Sequence, residues 1–496
     1  MSLIKKLAGE TALYGLSSIL GRFLTYLMVP IYTRTLTKVE NGILTELYAY
    51  SAFLGVILSY RLESAFFRYG TPPEDRERAY STGLFSLIGT TLAITLGIML
   101  AAQPIAVELD YDNHPEYIRW FALILAFDAL SELPFARLRL EQRPIRFVIG
   151  KLFNIGLVVT LNLFWQVLCP WAAGKGMGWV HWVWSPEIRV GYVFMANVIA
   201  SIATLLYLFP YVRVARPANF DRDLWKKMVL YALPLILVQF AGIINSMFDR
   251  AMQKWLLPGT PTENLAQVGI YGNMYKLAML ITIFTQAYRY AAEPFFFRHA
   301  QNANAPALQA RVTKWFTIVS AMGMLAVLLF IDVVKYFLSE PYWVGLPILP
   351  ILLLANVLLG VYYNLSVWYR LKDKTYIGAL ISLAGALSTV VLNVWWVPQY
   401  GYVGSAWAAL ISYTLMCLLA WATGQKHYPV PYAFGRMGGY LAAVLGLYAV
   451  SLLLKTAIAN FWILLGCNTV LFAVFLLLIG YLEKEELKRN IPMPVR

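Results

Sequence analysis

Charge is scarce in this sequence. Only 13% of its 496 residues are Asp, Glu, Lys or Arg, where a soluble globular domain carries about 25%. Acids are scarcer than bases, 26 against 40, and there are four histidines. The three cysteines, Cys169, Cys417 and Cys467, form no CxxC pair, so neither a disulfide framework nor a zinc site has support. No polar stretch is long enough for a separate soluble domain, and the largest loops, about 169–189 and 249–266, carry no catalytic constellation. The N-terminal "MSLIKKLAGETALYG" lacks the small-residue cleavage pattern of a signal peptide, so it reads as a retained first span. These absences argue against a soluble enzyme.

What is abundant is apolar. Hydrophobic residues make up 60% of the chain, mean hydropathy is +0.62, and 16 Trp and 32 Tyr are available to anchor at water–lipid interfaces. Fourteen windows are each long enough to cross about 30 Å of hydrocarbon as a helix. They lie at about 11–30, 43–66, 81–103, 117–138, 146–168, 190–211, 228–248, 267–291, 312–331, 343–366, 376–396, 401–421, 437–456 and 459–481. Counting Lys and Arg in the connections puts 28 on one side and 6 on the other. The positive-inside rule then places both termini in the cytoplasm. The net charge of +14 is spread over many short loops rather than gathered on one face, which argues against nucleic acid as a partner.

The chain also repeats itself. "GILTELYAYSAFLGVILSYRLESAFFR" (42–68) and "GIYGNMYKLAMLITIFTQAYRYAAEPFFFR" (269–298) open with Gly-Ile, reach an Arg, then an acid, and close on a Phe run and Arg. Arg61 matches Arg289, Glu63 matches Glu293, and Arg68 matches Arg298. The second copy lies six windows after the first, so they share one orientation. The expectation is an all-α polytopic protein of two parallel six-helix bundles related by a pseudo-two-fold axis, with a site between them. The bundles would span 1–215 and 216–425, with two terminal helices and a tail in 426–496.

Charges inside the windows are the candidate functional residues, because each costs about 2.5–3.5 kcal/mol or more at the bilayer centre. Arg22 lies in the middle of the first window, on a helical face with Ser18 and Tyr26. It is either a cavity-lining cation that meets an anionic substrate or half of a salt bridge to another helix. Lys276 lies well inside the eighth window, with Asn273 on its face, and Arg61 and Arg289 sit nearer the cytoplasmic ends. Glu63 and Glu293 follow those arginines closely enough to balance them. Asp128 and Glu132 form an i,i+4 pair whose like charges disfavour joint ionisation, which allows proton carriage. Asn245, Asp249 and Arg250 end the seventh window as a gate or an interfacial cap.

Deep in the spans, cations outnumber anions. A cationic drug would call for the opposite sign, whereas the planar donor fork of arginine suits phosphate oxygens. An inside-negative potential favours outward movement of a negative charge by about 2.3 kcal/mol per 100 mV.

Three stretches, "GRFLTYLMVPIYTRTLTKVENG", "LPLILVQFAGIINSMFDRAM" followed by "VGIYGNMYKLA", and "QKHYPVPY", resemble the polysaccharide-transporter family. This family holds O-antigen and capsule repeat-unit flippases, in a superfamily with lipid II flippases and MATE exporters. The resemblance covers essentially the whole chain. It implies alternating access and transfer of an undecaprenyl-pyrophosphate-linked oligosaccharide across the bacterial plasma membrane, with membrane lipids and a glycan polymerase as partners. It assigns Arg22 and Lys276 to the pyrophosphate, with Arg61 and Arg289 nearer the cytoplasm, and requires no cofactor. Coupling to Na+ or H+, lipid II or a small molecule as cargo, and a scaffold role in a polymerase complex remain open at this point.

Overall fold

A computed structural model describes residues 19–300 and 304–486. Helices dominate these residues, and no strand occurs among them. Without water in a bilayer, each backbone N–H and C=O must bond within its own segment, which leaves helices as the natural spanning unit here. Eleven described helices are long and apolar enough to cross a membrane. The protein is an all-α, multi-pass membrane protein.

Two further helices, Pro115–Leu140 and Pro261–His299, cover the windows expected at 117–138 and 267–291. They fall outside the eleven because polar residues lower their apolar character, Asp128 and Glu132 in one and Asn273 and Lys276 in the other. The first window is described from residue 19 and is helical from there; Ser18 lies outside the described residues.

One expected span differs. The window at 43–66 is broken into Lys38–Ser59 and Leu62–Tyr69. Tyr60 and Arg61 adopt positive φ values of 29° and 57°, conformations that cost an L-residue roughly 1–2 kcal/mol. The matching stretch around Arg289 runs without a break inside Pro261–His299.

Contacts divide the chain into two compact units. The first runs to Asn273 and adds Ser382–Ala408; the second holds Met274–Ile381 and the chain from Ala409 onward.

In the first unit, Lys38–Ser59 crosses the start of Pro261–His299 at backbone distance. A Cβ on Gly42 would lie 2.0 Å from the Leu265 carbonyl oxygen, and one on Gly269 would lie 2.1 Å from that of Lys38. Gly272 meets the Thr45 side chain in the same way, at 2.6 Å. Small residues of this kind let membrane helices approach closely where hydrophobicity alone gives no drive to associate. Both helices begin with the same capping box. Thr37 and Glu40 exchange bonds at one start, and Thr260 and Glu263 do so at the other. The Thr260 backbone N–H and hydroxyl hold the Glu263 carboxyl below its ordinary range. The Asn that follows each Glu points its amide back at two carbonyls, Tyr32 and Thr37 for Asn41, Lys254 and Leu257 for Asn264.

In the second unit the two terminal helices, Phe434–Ala457 and Phe461–Leu482, are latched to Ala305–Leu329 at both ends. At one end Lys314 pairs with Glu483 and Glu486, and Tyr440 donates to Glu483 at 2.9 Å. At the other, Lys455 reaches Asp332 at 2.8 Å and Asn468 donates to the Leu329 carbonyl at 2.8 Å.

The helix crossing makes a direct prediction. Gly269→Ala should destabilise the detergent-purified protein by about 1–3 kcal/mol, read as a lower thermal midpoint. Gly446, whose Cβ would meet nothing within 4 Å, should tolerate alanine or gain up to about 1 kcal/mol. Equal effects at the two positions would contradict the close crossing.

Candidate functional site

The repeat seen in sequence has a structural counterpart at the helix ends around Arg61 and Arg289. In the second unit, Arg370 binds Glu293 Oε1 at 2.5 Å and Arg289 binds the same oxygen at 3.3 Å. Arg289 also lies over the Tyr363 ring at 4.1 Å. In the first unit, Glu63 pairs with Arg139, whose guanidinium covers the Phe67 ring at 5.1 Å. The expected balance of Glu293 by Arg289 is therefore present. Glu63 instead takes its ion pair from Arg139; it follows Arg61 by two residues rather than four, a spacing that shares no helix face.

Arg139 and Arg370 correspond in the chain as well as in role. Each is followed by Leu and, two residues further on, by a residue at φ 54°, Gln142 in one case and Asp373 in the other. Each turn closes with the same bond, from Arg143 N to Leu138 O at 2.9 Å and from Lys374 N to Tyr369 O at 2.7 Å. Sequence reading counted these arginines as loop charge. The shared Arg-Leu before a basic turn was the signal available for finding them.

Deeper in the spans, the candidates fall into distinct surroundings. Arg22 is exposed, while its neighbour Gly21 packs against Ile155. Lys276 is half-buried in the second unit. Asp128 is exposed and accepts a hydrogen bond from Ser201 at 2.7 Å. Glu132, one turn on, has Ser59 as its hydrogen-bonding neighbour and Arg61 and Lys151 as its nearest cations. Asp128 and Glu132 thus share a helix face but take different partners.

The candidates at the end of the seventh window are buried. Asp249 accepts from the Tyr271 hydroxyl and from the Arg250 backbone N–H. Asn245 donates to the Ser382 carbonyl at 2.9 Å and accepts from Thr389 at 3.4 Å. It sits in a π-helical turn, Ile244–Phe248, immediately before Asp249, and such turns recur at functional positions. Asn273 is fully buried at the glycine crossing, bonded to the Gly269 carbonyl at 2.8 Å and to Asn41 at 3.4 Å. Among the described residues, no three His, Cys, Asp or Glu side chains cluster in a way that could hold a metal ion.

The largest omission of the sequence reading is a buried ion pair. Lys254 was counted as loop charge and Glu46 passed unnoticed inside an apolar window. Their side chains are 2% and 0% exposed, with Lys254 Nζ 3.7 Å from Glu46 Oε2 and 3.2 Å from Asp110. Tyr111 and Tyr50 donate to the two Glu46 oxygens, and Lys254 lies over the Tyr111 ring at 4.7 Å. An acid with no basic neighbour in its stretch of an apolar window was the clue. Lys254→Met should destabilise the protein by about 3–5 kcal/mol by stranding the buried carboxylate. The double variant Glu46→Gln/Lys254→Met should recover most of that loss. Additive losses in thermal unfolding would show that the two groups act independently.

Residues 160–300 match a family model described as polysaccharide biosynthesis protein. No curated protein matches the chain at a significant level. Among solved structures, the lipid II flippase MurJ in an inward closed conformation superposes with a TM-score of 0.68 at 11% identity. That match covers 96% of this chain and 99% of the flippase. An inward-facing multidrug resistance MATE family transporter of the MOP superfamily gives 0.61 at 13% identity, covering 84% and 95%. Residues 160–300 are thus similar to the polysaccharide biosynthesis family, and nearly the whole chain has the fold found in a lipid II flippase and a MATE transporter.

Proposed function

We propose that this protein flips an undecaprenyl-pyrophosphate-linked oligosaccharide from the inner to the outer leaflet of the bacterial plasma membrane. The observation that most supports this reading is that the polysaccharide-biosynthesis segment, residues 160–300, contains Lys276 and Arg289. Cations in spans are costly, and a phosphate-bearing cargo gives them a use. The reaction breaks no covalent bond. Arg61 and Arg289, near the inner helix ends, attract the pyrophosphate; Arg22 and Lys276 hold it at mid-depth while the polyprenyl tail stays in lipid. The two repeats, 1–215 and 216–425, then alternate access to the two faces, with 426–496 appended to them.

The charge distribution over the loops supports cytoplasmic termini. Asp128, Glu132, Asn245, Asp249, Arg250, Asn273, Glu63 and Glu293 are the candidates for gating or for coupling to Na+ or H+. A glycan polymerase is the expected consumer of the flipped product.

The test is leaflet transfer of a fluorescent polyprenyl-pyrophosphate oligosaccharide in proteoliposomes. Arg22→Ala and Lys276→Ala should each slow transfer by about tenfold or more, the scale of one lost charge-assisted hydrogen bond, at unchanged folded yield. Wild-type rates in both variants would contradict the phosphate-holding role. Preferential movement of lipid II or of a cationic dye would replace the proposed cargo.

A further inference from the structure

The two copies of the sequence repeat hold the same Tyr-Arg pair in different backbone conformations. At Tyr60 and Arg61 the span is broken, with φ/ψ of 29°/40° and 57°/24°. At Tyr288 and Arg289 it runs on as helix, inside Pro261–His299. L-residues avoid the left-handed region, and the second copy shows that this pair does not require it. The surroundings decide.

In the first unit both sides of the break are tethered. Ser59 donates to Glu132, the Tyr60 hydroxyl lies 2.5 Å from Ser86 Oγ, and Trp225 Nε1 donates to that same oxygen at 2.6 Å. Beyond the break, Glu63 pairs with Arg139, and Arg68 lies over the Tyr231 ring at 4.7 Å. The second copy has Ala287, with no hydroxyl, in place of Ser59. Counted from the shared Arg-Leu turn, it has Tyr363 in place of Glu132. Its straight helix has an anchor of its own, the bond from Tyr288 to Asn364. The position of Asn364 in the first unit is Leu133, fully buried and with no polar side-chain atom. The residues that differ are thus those that hold one form or the other.

The broken form gives up backbone bonds to keep these tethers. The first amides of Leu62–Tyr69 have no partner within that helix, and Ser64 and Ala65 reach back only to the Arg61 carbonyl, at 3.0 and 3.4 Å. A continuous helix would pair them and relax both positive φ values. Side-chain tethers on one side, and backbone bonds with relaxed torsions on the other, make a two-state element.

We infer that Tyr60 is the latch of a hinge in the 38–69 span. Bound to Ser86, it holds the span broken and sets Arg61 in the left-handed turn. Released, it lets the span straighten into the single helix of the second copy, which re-aims the Arg61 side chain. Tyr60, Ser86 and Trp225 are positioning residues for Arg61. The inference goes beyond the proposed cargo and leans on that reading only for what Arg61 does. Its test needs no cargo, so either can fail alone.

The full chain is placed in nanodiscs with spin labels at Lys38→Cys and Thr71→Cys, and with Cys169, Cys417 and Cys467 changed to alanine. Label separation is read by double electron–electron resonance. An unbroken 38–69 helix spans roughly 48 Å, and the broken form is shorter. Wild type should give mainly the shorter distance. Tyr60→Phe and Ser86→Ala each delete one oxygen, and each should raise the ratio of long to short by about three- to tenfold. The double variant should go no further than Ser86→Ala alone, because both remove the same bond. A distance distribution unchanged in both variants would overturn the inference. So would a short distance that only broadens, since the segment would then be melting rather than straightening.

Discussion

A charge held in an apolar interior must find an opposite charge or lose its ionisation, and that constraint organises this protein. Lys254 lies between Glu46 and Asp110, Lys314 between Glu483 and Glu486, and Arg137 between Glu77 and Glu141. Each of the three clusters ties together segments distant in the chain. Buried ion pairs add little net stability over a packed apolar core, yet removing one partner is expensive. They therefore fix which helices meet. Lys314 and Glu483 settle where the terminal helices dock, just as the glycine crossing settles how closely Lys38–Ser59 meets Pro261–His299.

Against that background, departures from balance carry information. The clusters around Glu63 and Glu293 share a turn, an Arg-Leu pair and an arginine–carboxylate contact, and differ seven residues before that Arg, where one has Glu132 and the other Tyr363. The same pair of regions differs in backbone. One helix is interrupted by positive φ at Tyr60 and Arg61, whereas Pro261–His299 runs through. Strain held at a charged position in one copy and relaxed in the other is the kind of asymmetry expected where two repeats have taken different tasks.

Much of the architecture was legible in the sequence because hydropathy is a direct readout of the bilayer's demand for internally bonded apolar helices. The windows at 117–138 and 267–291 were correctly read as helical despite their polar residues. The Arg61/Arg289 and Glu63/Glu293 correspondences also pointed to the right corners. What the sequence concealed was partnership. Glu63 meets Arg139, not its neighbour Arg61, because helix ends converge in space rather than in order. Glu46 and Lys254 are separated by more than 200 residues, so no periodic pattern joins them. Asn273, read beside Lys276 as a candidate gate residue, is occupied at the glycine crossing, where only a structure shows that two backbones touch. The break at Tyr60 was invisible because neither Tyr nor Arg signals a left-handed turn.

The central claim is that intramembrane cations select a phosphate-bearing lipid. The most direct measurement compares wild-type leaflet transfer of two cargoes with the same glycan and the same polyprenyl tail, one linked through pyrophosphate and the other through a neutral ether. The account predicts transfer of the pyrophosphate lipid and none of the neutral analogue above protein-free liposomes. Equal transfer of both would show that the glycan or the tail is recognised instead, and would contradict the role given to the cations.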